Sequence, residues 1–198
     1  MRTKYTVYFL SILCLLLFLG GCSTKKNTGF RRGYHALNTT YNVHFNGKEA
    51  FKRGYTNIEN SYKPDYSNII NMYAASDKST QGAATGDMAR AIEKCEKAIK
   101  EHSIKVKPKK NPNKARDPKY LAFYNKEEFN PKISEVWMLL AQAKFYSNDY
   151  LAASAAFTYV VNHFPEDKLL VAEAKIWKAR SFKEMGWTYE AEIGRAHV

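Results

Sequence analysis

The sequence predicts an all-α fold built from helical hairpins, and three observations carry that expectation. Apolar residues recur at steps of three and four through most of residues 33–191, where strands would alternate. Each periodic stretch is short and closed by proline, glycine or a polar cluster, as a chain that folds back on itself requires. The last two stretches repeat one another: Ala179 follows Ala141 by 38 positions, as Ala191 follows Ala153.

The chain opens with Arg2 and Lys4, then an apolar run from Tyr5 to Leu19. That run is shorter than the about 20 residues a membrane-spanning helix needs and has the order of a signal peptide. It ends in Leu19-Gly20-Gly21-Cys22, which resembles the bacterial lipobox. The glycines let the chain extend into a signal peptidase, and the thiol accepts a diacylglycerol. Residues 1–21 are therefore expected to be removed, and Cys22 to be the lipid attachment residue. Two or three acyl chains on one residue hold a protein on a bilayer far more firmly than one. Ser23 follows, with no Asp at the position that retains lipoproteins at the inner membrane of enterobacteria. The next residues, "STKKNT", lack the acidic cluster of surface-export signals in Bacteroidota. The expected location is the periplasmic face of the outer membrane. Of the three cysteines, Cys14 leaves with the signal peptide and Cys22 is acylated, so Cys95 stands alone and no internal disulfide is expected.

Residues 22–32 read as a polar, basic tether. Residues 33–104 read as an N-terminal helical region. Tyr34, Leu37, Tyr41 and Phe45 form one stripe, and Asn46-Gly47 is expected to be a helix–helix turn. Ala50, Phe51, Tyr55 and Ile58 then lie on the returning helix, which Pro64 ends. "DYSNIINMY" is short and apolar, and residues 74–86 are small and polar and read as a loop. Residues 87–102 form an amphipathic helix with Met88, Ala91, Ile92, Cys95 and Ile99 on one face. Glu93–Lys97 and Glu96–Lys100 are i,i+4 pairs on the other. Cys95 on that stripe reads as a core residue rather than a reactive thiol.

Residues 105–132 form a basic, proline-rich connection. Within 105–120, three prolines and seven basic residues stand against one acid, which predicts an extended, solvated segment. Lys105, Lys107, Lys109, Lys110, Lys114 and Arg116 are its candidate contacts to an acidic partner or anionic headgroups. From Ile133 the helical signal is clearest. Ile133, Trp137, Leu140, Ala141 and Phe145 make one stripe, Ser147-Asn148-Asp149 breaks it and supplies an N-cap, and Ala153, Phe157, Val160, Val161 and Phe164 make the next.

The hairpin from Ser134 to Pro165 resembles a tetratricopeptide repeat. That pattern asks for a large residue, a Leu-small pair, a small residue after the turn, an aromatic four later and a closing proline. They fall here on Trp137, Leu140-Ala141, Ala153, Phe157 and Pro165, with Lys144 departing where an aromatic is expected. In the second unit Ala179 and Phe182 hold the corresponding places, with Gly186 at the turn. Tyr34, Leu37, Tyr41 and Ala50 look like a degenerate copy, in which Gly54 replaces the aromatic. At least about three such units are usually needed for a stable stack, so an incomplete α-solenoid from a longer parent is expected. Residues 192–198, "EIGRAHV", resemble the translation of a sequencing adapter and are expected to be an artefact.

His35, His44, His102 and His163 show no metal-ligand spacing, and Glu127-Glu128 are adjacent and so diverge. No phosphate loop or nucleophile motif is present. The expectation is no enzyme, no cofactor, no metal and no small-molecule substrate. A lipid-anchored periplasmic protein does not meet DNA, so the formal charge of +12 points to proteins or headgroups instead of nucleic acid.

"RGYHALNTTYNVHFNGKEAFKRGY", soon after the lipobox, resembles the N-terminal hallmark of the PorW/SprE lipoproteins. So do "AIEKCEKAIKEHSIKVKPKKNPNKARDPKY" and "FYNKEEFNP". That resemblance implies a scaffold of helical repeats in Bacteroidota type IX secretion and gliding motility, coupling outer-membrane translocon parts to ring and motor components. The alternative is a BamD-like lipoprotein of outer-membrane protein assembly, which lacks the Asn-Gly segment and the basic insert.

Overall fold

A computed structural model describes residues 23–80 and 82–196. The expected signal peptide and Cys22 lie outside the described residues. Among those described, all regular structure is helical. Helix α1 (Gly29–Asn38) runs through a π-helical turn (Thr39–His44) straight into α2 (Phe45–Ser61). Two short 3-10 turns, Ala74–Ser76 and Lys78–Thr80, precede α3 (Thr85–His102). Then come α4 (Pro118–Tyr124), α5 (Ile133–Tyr146), α6 (Tyr150–His163), α7 (Lys168–Glu184) and α8 (Thr188–Ala196).

Local chemistry sets the helix starts. Thr28, Asp149 and Asp167 accept the backbone N–H three residues on, from Arg31, Ala152 and Leu170. Of the three prolines of the basic connection, expected to prevent helix, Pro108 lies in irregular chain and the other two instead begin helical turns. Pro112 opens a 3-10 turn and Pro118 opens α4 behind the Asp117 cap, because the first helical residue needs no N–H. The turns between α5 and α6 and between α7 and α8 share one device. Asn148 and Gly186, 38 positions apart, both take left-handed backbone, with φ of 64° and 77°.

The expected turn at Asn46-Gly47 is absent: the helix passes through it. Gly47 serves close packing, since a Cβ there would meet Lys94 Cβ at 3.4 Å and Cys95 Sγ and Leu139 Cδ2 at 3.6 Å. Seven residues on, a Cβ at Gly54 would come within 2.8 Å of Met88 Cε and 3.1 Å of Asp87 Cβ. With Ala50 between them, these residues form a smooth face that lets α2 press on α3 and α5. The helix uses that face, so the predicted stripe of Tyr34, Leu37, Tyr41 and Phe45 points elsewhere. Leu37, Tyr41 and Phe45 are exposed, while His35, Thr39 and Val43 are buried.

The helices pair as α2/α3, α5/α6 and α7/α8, and the pairs stack through α3 against α5 and α6 against α7. Phe157, Ala141, Ala153 and Val160 are fully buried between α5, α6 and α7, with Phe145 and Phe164 closing the cluster. A second cluster joins Ala50, Ile58, Met88 and Ala91, and a third joins Val43, Cys95, Ala98, Val136 and Leu140. Of the expected surface pairs on α3, Glu93 instead meets its neighbour Lys94 and Glu96 reaches Lys144 on α5. The register of α3 sets Glu96 against the next helix.

Truncating Phe157 to Ala should cost about 3–5 kcal/mol in denaturant unfolding, since its ring fills a space with no room to collapse. The two glycines should respond with opposite signs. Gly47→Ala meets only ordinary contacts and gains helix propensity, so it should be neutral or stabilising by up to about 1 kcal/mol. Gly54→Ala should destabilise by about 1–3 kcal/mol, because Asp87 and Ala84 would have to move. Thermal melts of the two variants read the difference.

Candidate interaction surfaces

A buried polar knot joins the start of the chain to the ends of α3 and α5. His35 on α1 is fully buried, and its Nδ1 lies 3.0 Å from His102 Nδ1 at the end of α3. Thr39 donates to His35 O at 2.7 Å and accepts from Asn130 Nδ2 at 2.9 Å. The same Asn130 amide donates to His102 O at 2.9 Å, and its oxygen accepts Lys132 N–H just before α5. Glu128 completes the knot. Its carboxylate accepts the backbone N–H groups of Ile104, Phe129 and Asn130 and the Ser103 hydroxyl. One acidic side chain thus satisfies donors that leave α3 and approach α5.

The expected tether is part of the fold. Arg31 Nη1 donates to Ser23 O at 2.7 Å, and Arg32 Nη1 donates to Asn27 Oδ1 at 2.6 Å. Asn27 Nδ2 donates in turn to Val106 O at 2.7 Å. This last bond sets the basic connection beside the chain's first described residues. Along that connection Lys105 Nζ lies 3.4 Å from Tyr159 Oη, and Lys107 Nζ stands 5.1 Å from the Tyr124 ring centre. Lys109, Lys110, Lys114 and Arg116 are exposed.

The repeat residues sit as follows. Leu140, Ala141, Ala153, Phe157 and Ala179 are buried. Trp137 is half-buried with its ring stacked on Tyr159 at 4.0 Å, and Phe157 stacks on Trp177 at 6.1 Å. Phe182 is half-buried and stacks on Trp187 at 5.8 Å, while Pro165 is exposed after α6. Trp137, Leu140 and Ala156 floor an apolar groove of about 490 Å³ between α3 and α6, rimmed by Lys100, Lys144 and Glu96. A second groove, of about 540 Å³, lies between α4 and the end of α6, where His163 meets Glu127. Glu127 and Glu128 thus diverge to separate partners.

Burial keeps Cys95 from ionising: its thiol is pushed up to about 12, with Glu96 adding to the effect, so it is a packing residue. Among the described residues no group of three His, Cys, Asp or Glu could hold a metal, and no helix is long and apolar enough to cross a membrane. The His35–His102 contact and the Thr39–Asn130–Glu128 network were not legible in the sequence. Their partners lie 67 and 91 positions apart, with no local motif to link them.

No known protein-family model matches the chain, and no curated protein matches it either.

The knot makes stability pH-dependent. Burial lowers the pKa of His35 below 6.5, with Arg31 adding and the Ser23 backbone and then Glu128 opposing. Burial likewise lowers His102, with His35 and Lys97 adding and Glu101 opposing. His44 is lowered by burial against the opposing charge of Glu135. The unfolded chain protonates these rings near 6.5 and the folded chain resists, so stability is full above that pH and falls as pH drops through it. The slope is at most about 1.4 kcal/mol per pH unit for each ring kept neutral. Thermal unfolding from pH 7.5 to 5 should show the decline, and His102→Gln should flatten it.

Proposed function

We propose that the protein is a lipid-anchored, periplasm-facing scaffold of the outer membrane that binds protein partners through its helical repeats. The observation that carries this reading is the stacked hairpins and the open apolar groove between α3 and α6. Its floor is made of small and aromatic side chains and its rim is charged, which suits a partner helix or an extended peptide. Grooves of this type give recognition through shape and buried rings, with charges at the edge fixing orientation.

The setting is inferred from the sequence. The lipobox-like end of the apolar leader supports the anchor, and the resemblance to PorW/SprE lipoproteins supports a place in type IX secretion and gliding motility. The segment that carries that resemblance forms α1 and most of α2, including the packing glycines Gly47 and Gly54.

Two measurements test the reading. Cys22→Ala should release the protein from the membrane fraction and remove the acyl mass from its N-terminus. Unchanged fractionation would refute the anchor. Cross-linking in intact cells, followed by purification from outer membranes, should recover translocon, ring or motor components. Recovery of barrel-assembly proteins in their place would assign it to the BamD-like class.

A further inference from the structure

The first helix carries an apolar stripe that nothing else in the described chain covers. Phe30, Leu37, Tyr41 and Phe45 are 77%, 62%, 74% and 56% exposed. Steps of seven, four and four keep the four side chains on one side, because the π-helical turn absorbs the surplus residue. The opposite side holds His35 and Thr39 in the polar knot, so this helix cannot roll over to bury its rings. Isolated exposed apolar residues are ordinary, but a row of them along successive turns marks a docking face.

The charge around the stripe identifies what it docks to. From Ser23 to Lys48 there are five basic residues (Lys25, Lys26, Arg31, Arg32 and Lys48) and no Asp or Glu. The Asn27–Val106 bond adds Lys105 and Lys107 at the same end of the helix. Glu49 and Glu135 stand at the Phe45 end, so the basic field is strongest at the Phe30 end, and Phe, Tyr and Leu facing outward beside Lys and Arg are the composition of a helix that lies in a membrane interface. A protein groove would have to supply several acids around an aromatic slot, whereas a leaflet of anionic headgroups supplies both layers at once. Ser23–Thr28 spans at most about 20 Å, so a lipid on the preceding residue would hold the helix within reach of the headgroups.

We propose that α1, with the π-helical turn and Phe45, lies along a bilayer surface containing anionic phospholipid. The rings of Phe30, Tyr41 and Phe45 and the Leu37 side chain enter the headgroup–acyl boundary, and Lys25, Lys26 and the basic connection face the phosphates. The placement near the bilayer rests on the anchor proposed above, but the binding chemistry does not.

The test uses the chain from Ser23 onward, which lacks the proposed lipid attachment residue Cys22, keeps Cys95 buried in the core and contains every contact described here. It is mixed with vesicles of phosphatidylethanolamine and phosphatidylglycerol, or of phosphatidylcholine alone, and sedimented. Binding to the anionic vesicles should exceed binding to the neutral ones by at least about tenfold at low salt and fall steeply by about 0.5 M salt. Phe30→Ser, Leu37→Ser and Tyr41→Ser together should weaken it by at least about tenfold, with the unfolding midpoint unchanged because all three are exposed. Should that variant fail to fold, Lys25→Glu with Lys26→Glu, at exposed positions before the helix, must show the loss. No binding to anionic vesicles overturns the proposal, as does parent-like binding by these variants. So does a full-length serine variant that still sediments with anionic vesicles like the parent yet loses its cross-links to a protein partner, since the stripe would then be a protein-docking face. The acyl mass at Cys22 is measured separately, so either idea can fail while the other stands.

Discussion

Helix α5 has almost no face of its own, and the rest of the molecule is arranged around that constraint. Val136, Met138, Leu139, Leu140, Ala141, Ala143 and Phe145 are all buried, because α2 and α3 cover one side and α6 and α7 the other. Each fully buried large apolar side chain contributes about 1.5–3 kcal/mol, so this one helix gathers much of the stabilisation that offsets the entropy of ordering the chain. It also makes the N-terminal unit and the C-terminal repeats one cooperative body. Met138 and Phe145 belong to the cluster with α6, Ala143 to the cluster with α2 and α3, and Val136 and Leu140 to the cluster around Cys95. A hairpin of two helices alone would leave half of these residues wet.

So crowded a helix needs neighbours that come close, and small residues permit that. Gly47, Ala50 and Gly54 on α2 face Ala84, Ala91 and Cys95 on or near α3, and Ala141 faces Ala153 across the α5/α6 pair. Glycine in a helix costs about 1 kcal/mol in propensity, and here the close approach of whole helices offsets it. Where the helices end, apolar packing gives out and the polar knot takes over. Glu128, Asn130 and Thr39 bond backbone groups that three separate segments leave open, at a place where each unmatched group would cost about 1–3 kcal/mol.

The repeats were legible because their code is local. Ala141, Ala153, Phe157 and Ala179 lie within one hairpin or its neighbour, and their spacing follows from helix geometry alone. Even the turn residues Asn148 and Gly186 keep the 38-residue step. The buried face of the first helix was not legible for the opposite reason. Tyr34, Leu37, Tyr41 and Phe45 look like a core stripe, since periodicity reports that a face is apolar without saying what covers it. Gly47 has the sequence signature of a turn and the structural role of a packing surface. Only the opposing Leu139 and Cys95, 92 and 48 positions away, separate the two roles. His35 and His102 are a still harder case, being ordinary polar residues until the fold sets their rings together. The basic connection was read correctly in charge and, as far as Asn111, in form, but not beyond it, because proline at a helix start and proline inside a helix have opposite effects.

These elements meet in α1. One side of that helix points Phe30, Leu37 and Tyr41 outward, and the other fixes His35 and Thr39 against α3 and the approach to α5. A surface that holds the outward side would therefore set the angle of the whole repeat stack, since the helix runs without a break into α2 and Asn27 bonds Val106. The joint between that helix and the stack is also where acid acts. Two rings with nitrogens 3.0 Å apart can share a hydrogen bond while at most one is charged, and protonating both places like charges in contact. The neutral or singly protonated pair holds the helix to α3, and acid strong enough to charge both rings loosens that joint.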